Sequence, residues 1–270
     1  MKRIVVATDM SERSDRAIER GVKLSHELNA ECSVICIVDE ALPEDIASEI
    51  RSRKETRLRA LLDAHGGETA DVEVRVGDVV PGVLGYEDEK DADLLVLGLH
   101  RKRAFMDTVR ETTMERIVAM SRRPVLLVRS PVIAPYSRVL VPVSFSRACA
   151  AAIATAGRVA PGAEFSTYHA LHVPFAGLTG GELSDLAKAV RRETQEMSDS
   201  WQENHRIANT PPEIIAGSLH QVLDRMMANF KPDLLAIGAH TRSGIGMHRI
   251  GAFAAELIRE PPVDLLVARS

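Results

Sequence analysis

Apolar residues follow two alternating rhythms along the chain. Short, nearly unbroken runs rich in Val, Ile and Leu occur at Arg3–Thr8, Ser33–Val38, Val72–Val76, Leu94–Gly98 and Val125–Arg129. Apolar side chains at consecutive positions suit strands buried on both faces, as in a parallel sheet covered by helices. Between these runs the spacing becomes helical. Ala17, Gly21, Leu24 and Leu28 fall on one face behind Ser11, a good N-cap residue. Ile46, Ile50, Leu58, Leu61 and Leu62 mark a second helix, with Arg, Lys and Glu on its wet side. Shorter helices are predicted around Pro81–Asp91 and Thr112–Ser121. Strict strand–helix alternation with right-handed crossovers predicts a doubly wound, five-stranded parallel sheet.

The same rhythm then repeats. Asp93-Leu-Leu-Val-Leu-Gly98-Leu-His100 returns as Asp233-Leu-Leu-Ala-Ile-Gly238-Ala-His240, a shift of 140 residues that also maps Gly77 onto Gly217. Near each start the shift is 135, with Arg3 on Arg138 and Ser11 on Ser146. The second copy should have strands near 138–143, 165–173, 213–216, 234–238 and 263–268, and a long helix over Glu182–Arg206. Ser130-Pro-Val-Ile-Ala-Pro-Tyr136 lacks periodicity and carries two prolines, which marks a linker. The expected organisation is two tandem α/β domains, 1–130 and 137–270, each with a Rossmann-like sheet. Last strands ending in Leu126–Val128 and Leu265–Val267 would be exposed edges, and pairing them would cover both.

Composition narrows the function classes. The 270 residues are 45% hydrophobic and 27% charged, with no apolar run of membrane-span or signal-peptide length, so a cytoplasmic protein with no membrane partner is expected. A net charge of −4 argues against a general nucleic-acid binder. Arg101, Lys102, Arg103, Arg110, Arg116, Arg122 and Arg123 form a local basic cluster, either a solvated surface or an anion-binding one. Three cysteines, Cys32, Cys36 and Cys149, fit a reducing compartment, and Cys32 and Cys36, four apart in a strand-like run, fit buried packing. His169 and His172 are an odd step apart on a strand and point to opposite faces, so no metal site is expected there. Glu87-Asp88-Glu89 is expected to be a solvated helix end.

In such sheets ligands bind beyond the carboxyl ends of the strands, where strand order reverses. The loops after the first and fourth strands are therefore the ones to inspect. In the first copy the loop after strand one is Ala7-Thr8-Asp9-Met10-Ser11. In the second, the loop after strand four runs from Gly238 through His240, Thr241, Arg242, Gly244 and Gly246 to Gly251 and Ala252 at a helix start. Small residues here would let backbone N–H groups reach an oxyanion at the positive end of a helix. A plain flexible connection has the same composition. No G-x-S-x-G elbow, G-x-x-x-x-G-K-[ST] loop or H-E-x-x-H pair is present.

The strings RIVVATDMSERSDRAIERG, DLLVLGLHRKRAFMDTVRETTMERIVAMSRRPVLLVR and DLLAIGAHTRSGIGMHRIGAFAAELIREPPVDLLVAR resemble the universal stress protein family, over nearly the whole chain and twice. The resemblance implies a Rossmann-like fold of the adenine nucleotide alpha hydrolase-like type. It also implies, for ATP-binding members, a motif of Gly, two residues, Gly, nine residues, then Gly-Ser or Gly-Thr. An Asp after strand one and a Val on strand two help hold the adenosine. Carried over, the second copy keeps Gly238 and Gly251, with Thr241 for the middle Gly and Ala252 for the hydroxyl residue. Ser144 stands at the acidic position, and Val173 at the strand-two Val. His240, Arg242 and Phe253 complete that candidate set. The first copy keeps Asp9, Val38 and Gly98, but has Arg101 for the second Gly and Glu111 for the third, before Thr112. With His100 these form a second, less complete set. Glu111 would place a carboxylate where phosphate oxygens should sit, and like charges repel.

The resemblance implies a cytosolic stress-response regulatory or binding protein, with ATP or another adenine nucleotide a candidate ligand of the second copy and no metal of its own. It implies unidentified protein partners and an intramolecular pseudo-dimer, with a homodimer as a further option. An interaction scaffold with both sites lost is the alternative. A slow ATPase or nucleotidyl-transfer enzyme fits less well, because the acid and the better loop lie in different copies.

Overall fold

A computed structural model describes residues 1–99, 112–172, 185–207, 211–239 and 251–269. The first repeat runs β1 (Arg3–Ala7), α1 (Glu12–Leu28), β2 (Glu31–Val38), α2 (Glu44–Ala64), β3 (Asp71–Val76), α3 (Val79–Glu89), β4 (Leu94–Gly98), α4 (Thr113–Met120) and β5 (Val125–Val128). The second runs β6 (Arg138–Pro142), α5 (Arg147–Val159), β7 (Glu164–Leu171), α6 (Asp185–His205), β8 (Glu213–Ala216), α7 (Leu219–Phe230), β9 (Leu234–Gly238), α8 (Ala252–Arg259) and β10 (Asp264–Ala268). The chain folds as two compact units. One comprises Met1–Pro135 with His240–Val267, the other Tyr136–Ala239 with Ala268–Ser270.

In the first unit the strand order is β3-β2-β1-β4-β5-β10. The pairs from β3 through β5 are parallel, and β10 closes that side antiparallel to β5, with Leu265 opposite Leu127 and Leu266 opposite Leu126. The cover expected for the edge at Leu126–Val128 is therefore a hydrogen-bonded ladder. The chain winds outward from β1 to β3, then returns to β4 on the other side. The strand-order reversal thus lies between β1 and β4. In the second unit the order β9-β6-β7-β8 repeats that arrangement in parallel strands.

Burial follows the two rhythms. All four residues of β5 and the first four of β4 are buried, the pattern of strands covered on both faces. β3, at an edge, alternates instead and lines its outer side with charge. There Arg75 pairs with Glu73 at 2.6 Å and Glu89 at 2.7 Å, and Lys90 with Asp71 at 2.6 Å. Leu58 and Leu62 hold α2 to the sheet, whereas Ile46 of the predicted stripe is 44% exposed.

The acidic run at the end of α3 departs from expectation. Asp88 and Glu89 are exposed, but Glu87 is buried at 2% exposure. It lies four and seven residues after Val83 and Val80, on the buried helix face. Its two oxygens accept from the Ser121 hydroxyl at 2.9 Å, and one accepts the Arg122 N–H at 3.2 Å. Glu87 thereby ties the turn after α4 to α3. Burial pushes its carboxyl above the ordinary value despite those donors.

Candidate functional site

The carboxyl end of β1 turns sharply into α1. Thr8 donates its N–H to Ile35 O at 3.0 Å, Met10 takes the left-handed conformation at φ 64°, and its N–H bonds Thr8 Oγ1 at 2.9 Å. A non-glycine residue there carries strain of the kind found at functional turns. Asp9 projects outward from this turn. Its carboxylate accepts the Ser11 N–H at 2.9 Å and the Ser14 hydroxyl. Lys54 of α2 reaches across, 3.3 Å from Asp9 O and 3.5 Å from the Cys36 thiol. Burial pushes the Cys36 thiol up; the Lys54 ammonium opposes this and Asp9 adds to it.

The second repeat builds the same turn from different chemistry. Val143 N–H bonds Tyr168 O at 2.8 Å, and Phe145 takes the left-handed position at φ 55°. Ser144, standing where Asp9 does, has its N–H 3.3 Å and its hydroxyl 3.5 Å from the Cys149 sulfur. The Ser146 hydroxyl caps α5 by accepting the Cys149 N–H at 3.2 Å. Aspartate, Ser11 and Ser14 are thus replaced by Ser144, Ser146 and Cys149, and the turn loses its charge.

Strand register identifies further equivalences that sequence spacing missed. The bonds from Thr8 and Val143 make Ile35 and Tyr168 equivalent, so Cys36 corresponds to His169. His169 Nδ1 lies 2.8 Å from Val143 O, and its ring stacks on Phe145 with centroids 4.4 Å apart. Gly77 N–H bonds Val38 O at 2.9 Å and Gly217 N–H bonds Leu171 O at 3.0 Å. Val38 therefore corresponds structurally to Leu171. Val173, His240, Thr241 and Arg242, with His100 and Arg101, lie outside the described residues.

The motif glycines differ in what demands them. A Cβ at Gly238 would meet the Ala148 carbonyl carbon at 2.4 Å and the Cys149 nitrogen at 2.5 Å. Gly238 is thus needed for β9 to approach the start of α5. Gly251 is the N-cap of α8 at φ −59°, with no side-chain cap and nothing within 4 Å of a built Cβ. Its backbone is ordinary, and among the described residues no atom crowds it. Ala252 and Phe253 open the helix behind it.

The corresponding helix in the first repeat is closed. Thr112 Oγ1 accepts the Glu115 N–H at 3.2 Å, and Glu115 Oε2 accepts the Thr112 N–H at 2.8 Å, a complete capping box. The other Glu115 oxygen accepts from Arg259 Nε at 2.6 Å, although Glu115 is only 6% exposed. The N–H groups of Thr112 and Glu115 at this helix start are therefore met internally. Of the predicted basic cluster, Arg123 is paired with Asp91 at 2.9 Å.

Among the described residues no group of three or more His, Cys, Asp or Glu could hold a metal ion. Among them, too, no helix is long and apolar enough to cross a membrane.

A solved structure of a universal stress protein from Archaeoglobus fulgidus superposes with a TM-score of 0.71 over 99% of this chain and 98% of its own, at 16% identity. A candidate universal stress protein from Pseudomonas aeruginosa gives a TM-score of 0.69 over 100% and 93%, at 14% identity. By sequence, a universal stress protein of Methanocaldococcus jannaschii is 28% identical over 141 residues, covering 48% of this chain and 83% of that protein. The model of the Universal stress protein family matches residues 1–129 and again 135–269. Two successive matches span nearly every residue, and the chain belongs to the universal stress protein family.

Proposed function

We propose that this is a cytoplasmic stress-response regulatory protein whose second repeat takes an adenine nucleotide, while its first repeat serves as scaffold. The observation that carries the reading is the contrast between two helix starts. α8 begins on Gly251 with no capping side chain and, among the described residues, no atom within 4 Å of a Cβ placed there. α4 begins on the Thr112–Glu115 capping box. A helix N-terminus presents N–H groups and a partial positive charge to an oxyanion. At α4 a carboxylate of the protein already occupies that role. The nucleoside end is weakened, because Ser144 supplies a hydroxyl where Asp9 supplies a charge. Losing a charged hydrogen bond costs about 1.5–3 kcal/mol, so modest affinity is expected.

The test is differential scanning fluorimetry with ATP, ADP and AMP on wild type, Gly251→Glu and Thr112→Ala. A stabilising shift that disappears in Gly251→Glu and survives in Thr112→Ala supports nucleotide at the second repeat. No shift with any of the three, and no nucleotide released on denaturation, overturns it and leaves the interaction scaffold as the reading.

A further inference from the structure

The second repeat carries a shallow, open cavity of about 500 Å³ on its surface, between the β6–α5 turn and α6. That volume lies within the range of small-molecule sites. Its aromatic members are linked ring to ring. Phe145 tilts against Trp201 with centroids 5.9 Å apart, and Trp201 tilts against His205 at the same distance. Trp201 is held still, being 5% exposed with Nε1–H bonded to Ser146 O at 2.9 Å. The indole's polar atom is therefore spent inside the protein, and only an edge of its apolar ring reaches the cavity. Met197, 54% exposed, adds a thioether wall.

The rim is acidic. Glu193 and Glu196 line the cavity from one face of α6, at the helical spacing that also brings Met197 and Trp201 there. Both carboxylates are exposed, and neither forms an ion pair among the described residues. Aromatic faces, a polarizable sulfur and unpaired carboxylates together match a cation that carries apolar surface.

We propose that this cavity binds a small organic ammonium ion, with Phe145, Met197 and an edge of Trp201 taking its apolar surface and Glu193 and Glu196 its charge. The site adjoins the proposed nucleoside end, since Phe145 follows Ser144 in the same turn, but none of its lining residues lies at the start of α8.

Trp201 is the chain's single tryptophan, so its emission reports on this cavity alone. The experiment titrates the full chain with choline chloride. Controls are potassium chloride at equal ionic strength and 3,3-dimethylbutanol, a neutral molecule of the same shape. The expected result is a saturable change in emission with choline only. The Glu193→Gln/Glu196→Gln variant should bind about five-fold more weakly, as removal of two exposed charges implies. No saturable change overturns the proposal, as does an equal response to the neutral analogue or an unchanged affinity in the variant. Should the variant fail to fold by circular dichroism, choline against dimethylbutanol on wild type decides alone.

Discussion

Arg20 Nε lies 3.7 Å from Asp264 Oδ2, and the two side chains are 4% and 0% exposed. This ion pair joins α1 of the first repeat to β10, the last strand of the second. Asp264 also accepts the N–H groups of Arg129 and Ser130, each at 2.8 Å. Removing one partner from a buried pair strands the other charge in a poor dielectric. Asp264→Ala should therefore lose about 3–5 kcal/mol in urea unfolding. Adding Arg20→Met to that variant should return part of the loss, because the stranded guanidinium is gone. A double variant less stable than Asp264→Ala would contradict the assignment.

Glu87 should make stability depend on pH. Burial raises its carboxyl in the folded protein above the ordinary 4.5, so the folded state holds that proton more tightly than the unfolded chain. Stability from this group is complete below 4.5 and falls as pH rises through the folded value. Urea midpoints between pH 4 and about 7.5 should thus decline more steeply in wild type than in Glu87→Gln, which cannot ionise. Parallel curves for the two proteins would exclude Glu87 as the source.

The two motif glycines should respond oppositely to one methyl group. Gly238→Ala drives a Cβ into the backbone of Ala148 and Cys149, where nothing flexible can yield. A loss of about 3 kcal/mol or more is expected in chemical denaturation. Gly251→Ala meets no described atom within 4 Å and sits at a φ any residue adopts, so its stability should stay within about 0.5 kcal/mol of wild type.

Lys231 offers the reverse case. It ends α7 in the left-handed conformation at φ 50° and is exposed. Glycine adopts this geometry without a Cβ penalty, so Lys231→Gly should raise stability by about 0.5–1 kcal/mol. A lower melting temperature in calorimetry would refute this.

Much of the architecture was legible in the chain. Unbroken runs such as Leu94–Gly98 announced buried parallel strands, and the recurrence of Asp93–His100 at Asp233–His240 announced the duplication. Both signals are local, since burial on two faces and a short repeat leave their mark on consecutive residues. The site was legible only as a list of positions. Cys36 and His169 share no chemistry, and their equivalence needed the strand register. Glu87 looked like part of a solvated acidic run, yet the helix phase turned one residue of three inward.

By itself the sequence determined the strand–helix alternation, the two repeats and the loops that could face a ligand, because propensity and periodicity act over neighbouring residues. Only the tertiary structure decided that the start of α4 is closed. Thr112 can cap α4 from sequence alone, but Glu115 closes that end while also holding Arg259, 144 residues away. It likewise decided that β10 lies antiparallel to β5 and that Phe145, Trp201 and Met197 line one cavity. These outcomes depend on distant segments competing for the same space and the same hydrogen bonds, and no local pattern records that competition.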